Sequence, residues 1–229
     1  MQKKEIKILS VGGSIIIPKT GFDLDFLNNF RKLIIAKTKE GYRFIIITGG
    51  GHTARMYQAA AKEIGQLKPD DVDWMGIHAT RLNAHFMRTV LRDYAHPVVA
   101  RDFTHKLNWT EPVLVASGWK PGWTTDYCAT KFAELYGSKT VINLSNIDYI
   151  YDCDPKTNPN AKKLEEMSWS EIRKIVGDKH IPGANVPFDP IASQEAEKLG
   201  LEVSILNGNN LKEVEKALDG KKFVGTVIK

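Results

Sequence analysis

Cysteine is scarce in this chain. Cys128 and Cys153 are the only two among 229 residues, and they lack the short paired spacing of a metal site. Free thiols in a reducing compartment are the expected state. Long apolar runs are missing as well, and no stretch reaches the roughly 20 residues that span a bilayer. The N-terminal segment places basic residues before an apolar run, but Glu5 and Lys7 interrupt it. Gly12 and Gly13 then break it, and no small-residue cleavage site follows, which argues against a secretory signal. There is no low-complexity tract, no internal repeat and no Pro/Ser-rich linker. Charge of one sign is never blocked: 32 Lys and Arg are interspersed with 27 Asp and Glu, a net of +5. That pattern does not imply a nucleic-acid groove and suits small anions better. Two nucleotide signatures are absent, since neither GxxxxGK[ST] nor GxGxxG occurs. We expect one cytoplasmic domain over residues 1–229, with no membrane and no nucleic-acid partner.

What is present alternates. Ile6 to Val11 is rich in β-branched residues and runs into Gly12-Gly13-Ser14, the pattern of a strand ending in a glycine turn. Phe22 to Glu40 has helical apolar spacing at Phe26, Leu27, Phe30, Leu33 and Ile34, and stops at Gly41. Phe44 to Ile47 is a continuous apolar run, as in a strand buried on both faces. The same reasoning predicts helices over 53–64, 71–94, 125–136, 168–176, 192–199 and 211–218. Further strands are predicted over 97–100, 112–116, 140–144, 203–206 and 223–228. Such alternation predicts an α/β fold, a mostly parallel central sheet between helical layers. In these sheets ligands bind beyond the carboxyl ends of the strands.

Three loops lie at those ends. They are VGGS (Val11 to Ser14), TGGGHTAR (Thr48 to Arg55) and SGWKPGWTTD (Ser117 to Asp126). Glycine lets backbone approach a ligand closely, and N–H groups at a helix start favour phosphate. One such loop reads as an ordinary turn; three on one sheet edge are much harder to dismiss as turns and point to a phosphate site. In the third loop Lys120, Thr124 and Thr125 suit a phosphate. Trp119 and Trp123 suit either the stacking of a base or a subunit interface.

These motifs, in this order, together with DWMGIHATRLNA (Asp73 to Ala84) and NIDYIYDCDPKTNPNAKK (Asn146 to Lys163), resemble the amino-acid-kinase superfamily. The similarity is strongest to its uridylate kinases of the short archaeal kind, and it extends over essentially the whole chain. It implies a three-layer sandwich of the carbamate-kinase-like type. The N-terminal part would take the phosphoryl acceptor UMP and roughly residues 140–229 would take ATP, with Mg²⁺ arriving on the ATP. It also implies dimers assembled into a hexamer. The long helix supports assembly independently, because Trp74, Ile77, Phe86 and Met87 are more apolar surface than one sheet face needs.

Carried over by position, the resemblance implies UMP contacts at Gly50, Asp73, Gly118, Trp119, Lys120, Pro121, Gly122, Trp123 and Thr124. It implies ATP or phosphate contacts at Gly13, Ser14, Gly51, Arg55, Ser145, Asn146, Tyr151 and Asp154. No residue is expected to ligate a metal directly. Phosphoryl transfer needs charge neutralisation and alignment more than covalent help, so Gly13, Ser14, Arg55 and Asp126 form the expected catalytic set. Arg55 sits one turn into a helix that already points at phosphate, where its planar fork can bridge oxygens. Asp73 is either a ribose acceptor or a first-turn acid favoured by the helix dipole. Asp126 would orient basic groups around the phosphoryl, and is otherwise a residue of the helix cap. Arg81 and Arg88 fit ion pairs or a subunit contact better than catalysis. Three features depart from the superfamily pattern. Ser10 stands where many members have lysine, leaving Lys179 and His180 as the nearest replacements; Trp119 and Trp123 replace smaller or polar residues; Tyr149 replaces glycine. The alternatives are therefore a kinase of another phosphate acceptor, such as isopentenyl phosphate, and a nucleotide-binding homologue that transfers nothing.

Overall fold

The computed structural model describes residues 6–179 and 186–229. In chain order its elements are β1 (Ile6–Val11), α1 (Gly13–Ile16), α2 (Leu24–Lys39), β2 (Arg43–Thr48), α3 (Gly51–Ile64) and α4 (Pro69–Val90). Then come β3 (Val113–Ala116), α5 (Thr125–Tyr136), β4 (Thr140–Ser145), β5 (Ile150–Tyr151), β6 (Lys163–Leu164) and β7 (Glu166–Met167). The last elements are α6 (Trp169–Val176), α7 (Pro190–Leu199), β8 (Glu202–Asn207), α8 (Leu211–Leu218) and β9 (Thr226–Ile228).

Seven strands form one sheet in the order β3-β2-β1-β4-β8-β9-β7. β1, β2, β3, β4 and β8 run parallel, and β9 is antiparallel to β8. From β1 the chain builds outward through β2 and β3, then returns to add β4 on the other side. The strand order therefore reverses between β1 and β4, which is where open sheets of this kind form a crevice.

Successive strand residues face opposite layers. Ile8, Ile45 and Ile47 join a core with Phe132 of α5, Ile172 of α6 and Ala192 of α7. Leu9, Val11, Phe44 and Ile46 join a second core with Phe30 of α2, Met87 of α4 and Val214 of α8. The run Ile45-Ile46-Ile47 is wholly buried, and each such side chain stabilises the fold by about 1.5–3 kcal/mol. This is the three-layer α/β sandwich that the alternating pattern predicts.

The differences have local causes. Residues 97–100 do not form a strand. Only isolated bridges join Ala95 to Val113 and Ala100 to Ala116, because Pro97 between them has no N–H to give a ladder. The long helix begins at Pro69, with Asp70 and Asp71 in its first turn, and stops at Val90. Of its four supposed surplus apolar residues, Ile77 and Met87 are buried in the fold and Phe86 packs on Phe22 at 4.8 Å. Trp74 remains exposed, joined by Leu82. The short strands β5, β6 and β7 carry too few residues to show a period.

Candidate functional site

The first two glycine turns are locked into each other. Gly12 N donates to Leu144 O and Gly49 N to Val11 O, each at 2.9 Å. A side chain on Gly13 would strike the backbone of Gly51, and Gly51 itself sits at φ +62°. Only residues without a Cβ allow this approach. The result brings the start of α1 and the start of α3 side by side, and Ser14, Gly50 and Gly51 line one space.

That space is a cleft of about 670 Å³ beyond the carboxyl ends of β1, β2, β3 and β4. Its size lies within the range of small-molecule sites. Ser14, Gly50, Gly51, Arg55, Asp73, Gly118, Lys120, Trp123, Thr124 and Asn146 all line it. Ten of the predicted positions, drawn from all three loops, from α3 and α4 and from the end of β4, therefore converge. Lys19 lines the cleft too. The three cations Lys19, Arg55 and Lys120 face a lining whose one carboxylate is Asp73. None of the three forms an ion pair among the described residues; Lys120 lies over the Trp119 ring at 4.4 Å and the Trp123 ring at 5.2 Å. Asp73 Oδ2 accepts from Gly122 N at 2.8 Å, tying α4 to the third loop. Thr124 caps α5, its side chain accepting from Tyr127 N.

Other predicted positions lie off the cleft. Gly13 is buried beneath its neighbouring turn, and Trp119, Pro121 and Gly122 form the outer part of the third loop. Ser145 ends β4, and its carbonyl accepts from Gly208 N. Tyr151 pairs with Lys163 in the β5–β6 hairpin. Asp154 is exposed and holds its own turn, its Oδ1 accepting from Lys156 N at 2.9 Å. Lys179 is exposed and is not among the residues that line the cleft, while His180 lies outside the described residues. Arg81 makes no ion pair among the described residues and instead donates to Trp119 O at 2.9 Å.

Asp126 sits behind the cleft, and its carboxylate has three donors. They are Asn143 Nδ2 at 2.9 Å, Ser10 Oγ at 3.3 Å and Asp189 N at 3.3 Å. Burial, followed by the nearby charge of Asp189, pushes its carboxyl up to about 7 against the pull of those donors. Ser10, where the resemblance implies that many family members carry lysine, thus donates to Asp126.

The match to known proteins agrees with this arrangement, since residues 5–207 fit the amino acid kinase family. The chain belongs to that family. The chain is 34% identical over 224 residues to the uridylate kinase of Methanocorpusculum labreanum, covering 96% of this chain and 94% of that one. It is 31% identical to the uridylate kinase of Pyrococcus abyssi, covering 96% of this chain and 98% of the other. Among solved structures, the uridylate kinase of Archaeoglobus fulgidus superposes with a TM-score of 0.82 at 31% identity, covering 99% of this chain and all of that one.

Reasoning from sequence missed Lys19, Gln58, Gly76, Ile77 and Thr80 on the lining of the cleft. Lys19 follows the short helix α1, whose four residues give no periodic signal. Gln58, Gly76, Ile77 and Thr80 lie one or two helical turns from Arg55 and Asp73, and the helical period alone would have put Gln58, Gly76 and Ile77 on the same face as those residues.

Proposed function

We propose that this kinase transfers the γ-phosphoryl group of ATP to UMP, giving UDP and ADP. An oxygen of the UMP phosphate forms the new P–O bond, the bond between the γ-phosphorus and its bridging oxygen breaks, and the electron pair leaves on ADP. The observation that carries this reading is the cluster of Lys19, Arg55 and Lys120 around a cleft opened by glycine turns. Full-length similarity to uridylate kinases supports the acceptor. Arg55 and Lys19 neutralise the transferring phosphoryl, taking over from the lysine that Ser10 replaces. Backbone N–H groups of Gly50 and Gly51 hold phosphate oxygens. Asp73 and residues 118–124 surround the nucleoside, while Ser145, Asn146, Tyr151 and Asp154 belong to the ATP side.

Among the described residues no three His, Cys, Asp or Glu side chains converge on a metal site. The reading includes Mg²⁺ carried on the phosphates of ATP, a common mode for this ion. When bound it would supply charge neutralisation on the β and γ oxygens. No described helix is long and apolar enough to cross a membrane, and the reading includes a cytoplasmic protein of one domain that assembles as a homo-oligomer.

A coupled ADP-release assay over UMP, CMP, dUMP, AMP and isopentenyl phosphate tests the proposal. Turnover highest with UMP is expected. Turnover of another acceptor with none of UMP overturns the assignment and keeps the fold. Tight binding of ATP and UMP in calorimetry with no ADP formed would make the protein a nucleotide-binding homologue.

A further inference from the structure

One turn of α4 is fastened to two strands at once. Thr80 Oγ1 accepts from Gly118 N at 2.8 Å and donates to Ile77 O at 2.7 Å. Its own carbonyl accepts from Thr48 Oγ1 at 3.0 Å, at the end of β2. Three residues on, Asn83 Nδ2 donates to Gly49 O at 2.7 Å and to Gly50 O at 3.2 Å. Both side chains are inside the protein, Thr80 at 6% exposure and Asn83 at 0%. The loop after β3 rests directly on this turn, for a Cβ on Gly118 would come within 2.9 Å of Thr80 Oγ1. Gly50, Thr80 and Gly118 all reach the cleft.

The consequence is geometric. Gly50 and Gly118 lie in the loops that follow two different strands, β2 and β3, and α4 fixes their separation through these two side chains. We propose that Thr80 is a positioning residue that sets the distance between the two acceptor-side loops, with Asn83 fixing the Gly50 side. The inference rests on the acceptor reading of the cleft given above. Loss of the Thr80 hydroxyl leaves Gly118 N without its partner and lets the third loop drift from Gly50. In phosphoryl transfer a shift of an ångström in the acceptor is felt strongly. On the ATP side, Ser145, Tyr151 and Asp154 have their hydrogen-bond partners elsewhere.

The test compares Thr80→Ser, which keeps the hydroxyl, with Thr80→Ala, which removes it, in steady-state kinetics and calorimetry with UMP and ATP. Thr80→Ala should raise the KM for UMP about tenfold, the equivalent of one lost buried hydrogen bond. The KM for ATP should stay where it was, and Thr80→Ser should behave as the parent. Thr80→Val replaces Thr80→Ala if the latter does not fold. A purely structural hydroxyl would lower Tm and leave the ratio of the two constants alone. A parent protein that neither binds nor turns over UMP overturns the acceptor reading and this inference with it. A parent with normal UMP kinetics, whose hydroxyl-free variant moves both constants alike or neither, overturns this inference only.

Discussion

Gly13 and Gly51 touch backbone to backbone: a Cβ on Gly13 would lie 2.5 Å from Gly51 Cα and 2.6 Å from the carbonyl carbon of Gly49. The two phosphate-facing turns are therefore one unit, and neither can move without the other. Gly13→Ala should lower stability by about 1–3 kcal/mol, the range for an overpacked site, and should abolish turnover as the turns separate. Gly65→Ala is the control. Gly65 is extended with open space around it, and the change should stay within about 0.5 kcal/mol of the parent in urea unfolding. Equal stability and activity for both variants would show that the turns are not coupled.

Arg55 is exposed at the cleft and makes no ion pair among the described residues. A bridge to shifting phosphoryl charge strengthens in the transition state, so Arg55→Ala should lower kcat more than it raises either KM. A loss of about a hundredfold is expected. Arg55→Lys should rescue little, since an ammonium cannot span two oxygens as a planar fork does. Tm should not move; a drop of several degrees with kcat intact would make Arg55 structural.

Lys19 and Lys179 separate the two places from which the missing basic group could come. Lys19 lines the cleft and Lys179 does not. Lys19→Met should reduce kcat by about tenfold or more, whereas Lys179→Met should leave it unchanged. The reverse order in single-turnover kinetics would return the role to the segment near Lys179.

The sheet was legible because its strands are fully buried and β-branched, and the glycine loops because close approach admits no other residue. Arg55 was readable from its register after such a loop. The edges were harder. Over 97–100 the β-branched run outweighed Pro97 in the reading, although that proline leaves only isolated bridges at Ala95 and Ala100. Thr80 and Asn83 lie within a motif that stood out in the sequence, but their partners are backbone atoms of distant turns. A sequence shows which residue is polar and not which carbonyl it will meet. For the same reason the contact between Asp73 and Gly122 N was not foreseeable.

Acid dependence follows from Asp126. Burial and the charge of Asp189 raise its carboxyl from the ordinary 3.8 to about 7. Between those values the folded protein keeps a proton that the unfolded chain has released, so stability falls as pH rises through this window. Its contribution is whole below about pH 4 and gone above about pH 7. In calorimetric scans without nucleotide, the Tm of the parent should fall from pH 5 to pH 8. Asp126→Asn, whose amide oxygen can still accept from Asn143 and Ser10, should give a flatter profile. Parallel profiles for the two proteins would refute the assignment.

The sequence left Trp119 and Trp123 the same two readings, base stacking or a subunit interface, and the structure sets the two rings apart. Trp123 faces the cleft, supported by Tyr127 edge-on at a centroid distance of 4.2 Å. Trp119 is off the cleft, packed edge-on against Phe103 at 4.8 Å, and its carbonyl is held by Arg81. A base stacked on an aromatic ring contributes about 1–3 kcal/mol. Trp123→Leu should therefore raise the KM for UMP about tenfold or more, with little effect on the KM for ATP. Trp119→Leu should act on the fold instead, lowering stability by about 1–3 kcal/mol through lost packing while the KM for UMP stays near the parent value. Both variants are to be followed by steady-state kinetics, thermal melts and light scattering. A smaller assembled mass for Trp123→Leu, with its KM for UMP unchanged, would place that ring in a subunit contact and remove it from the acceptor site.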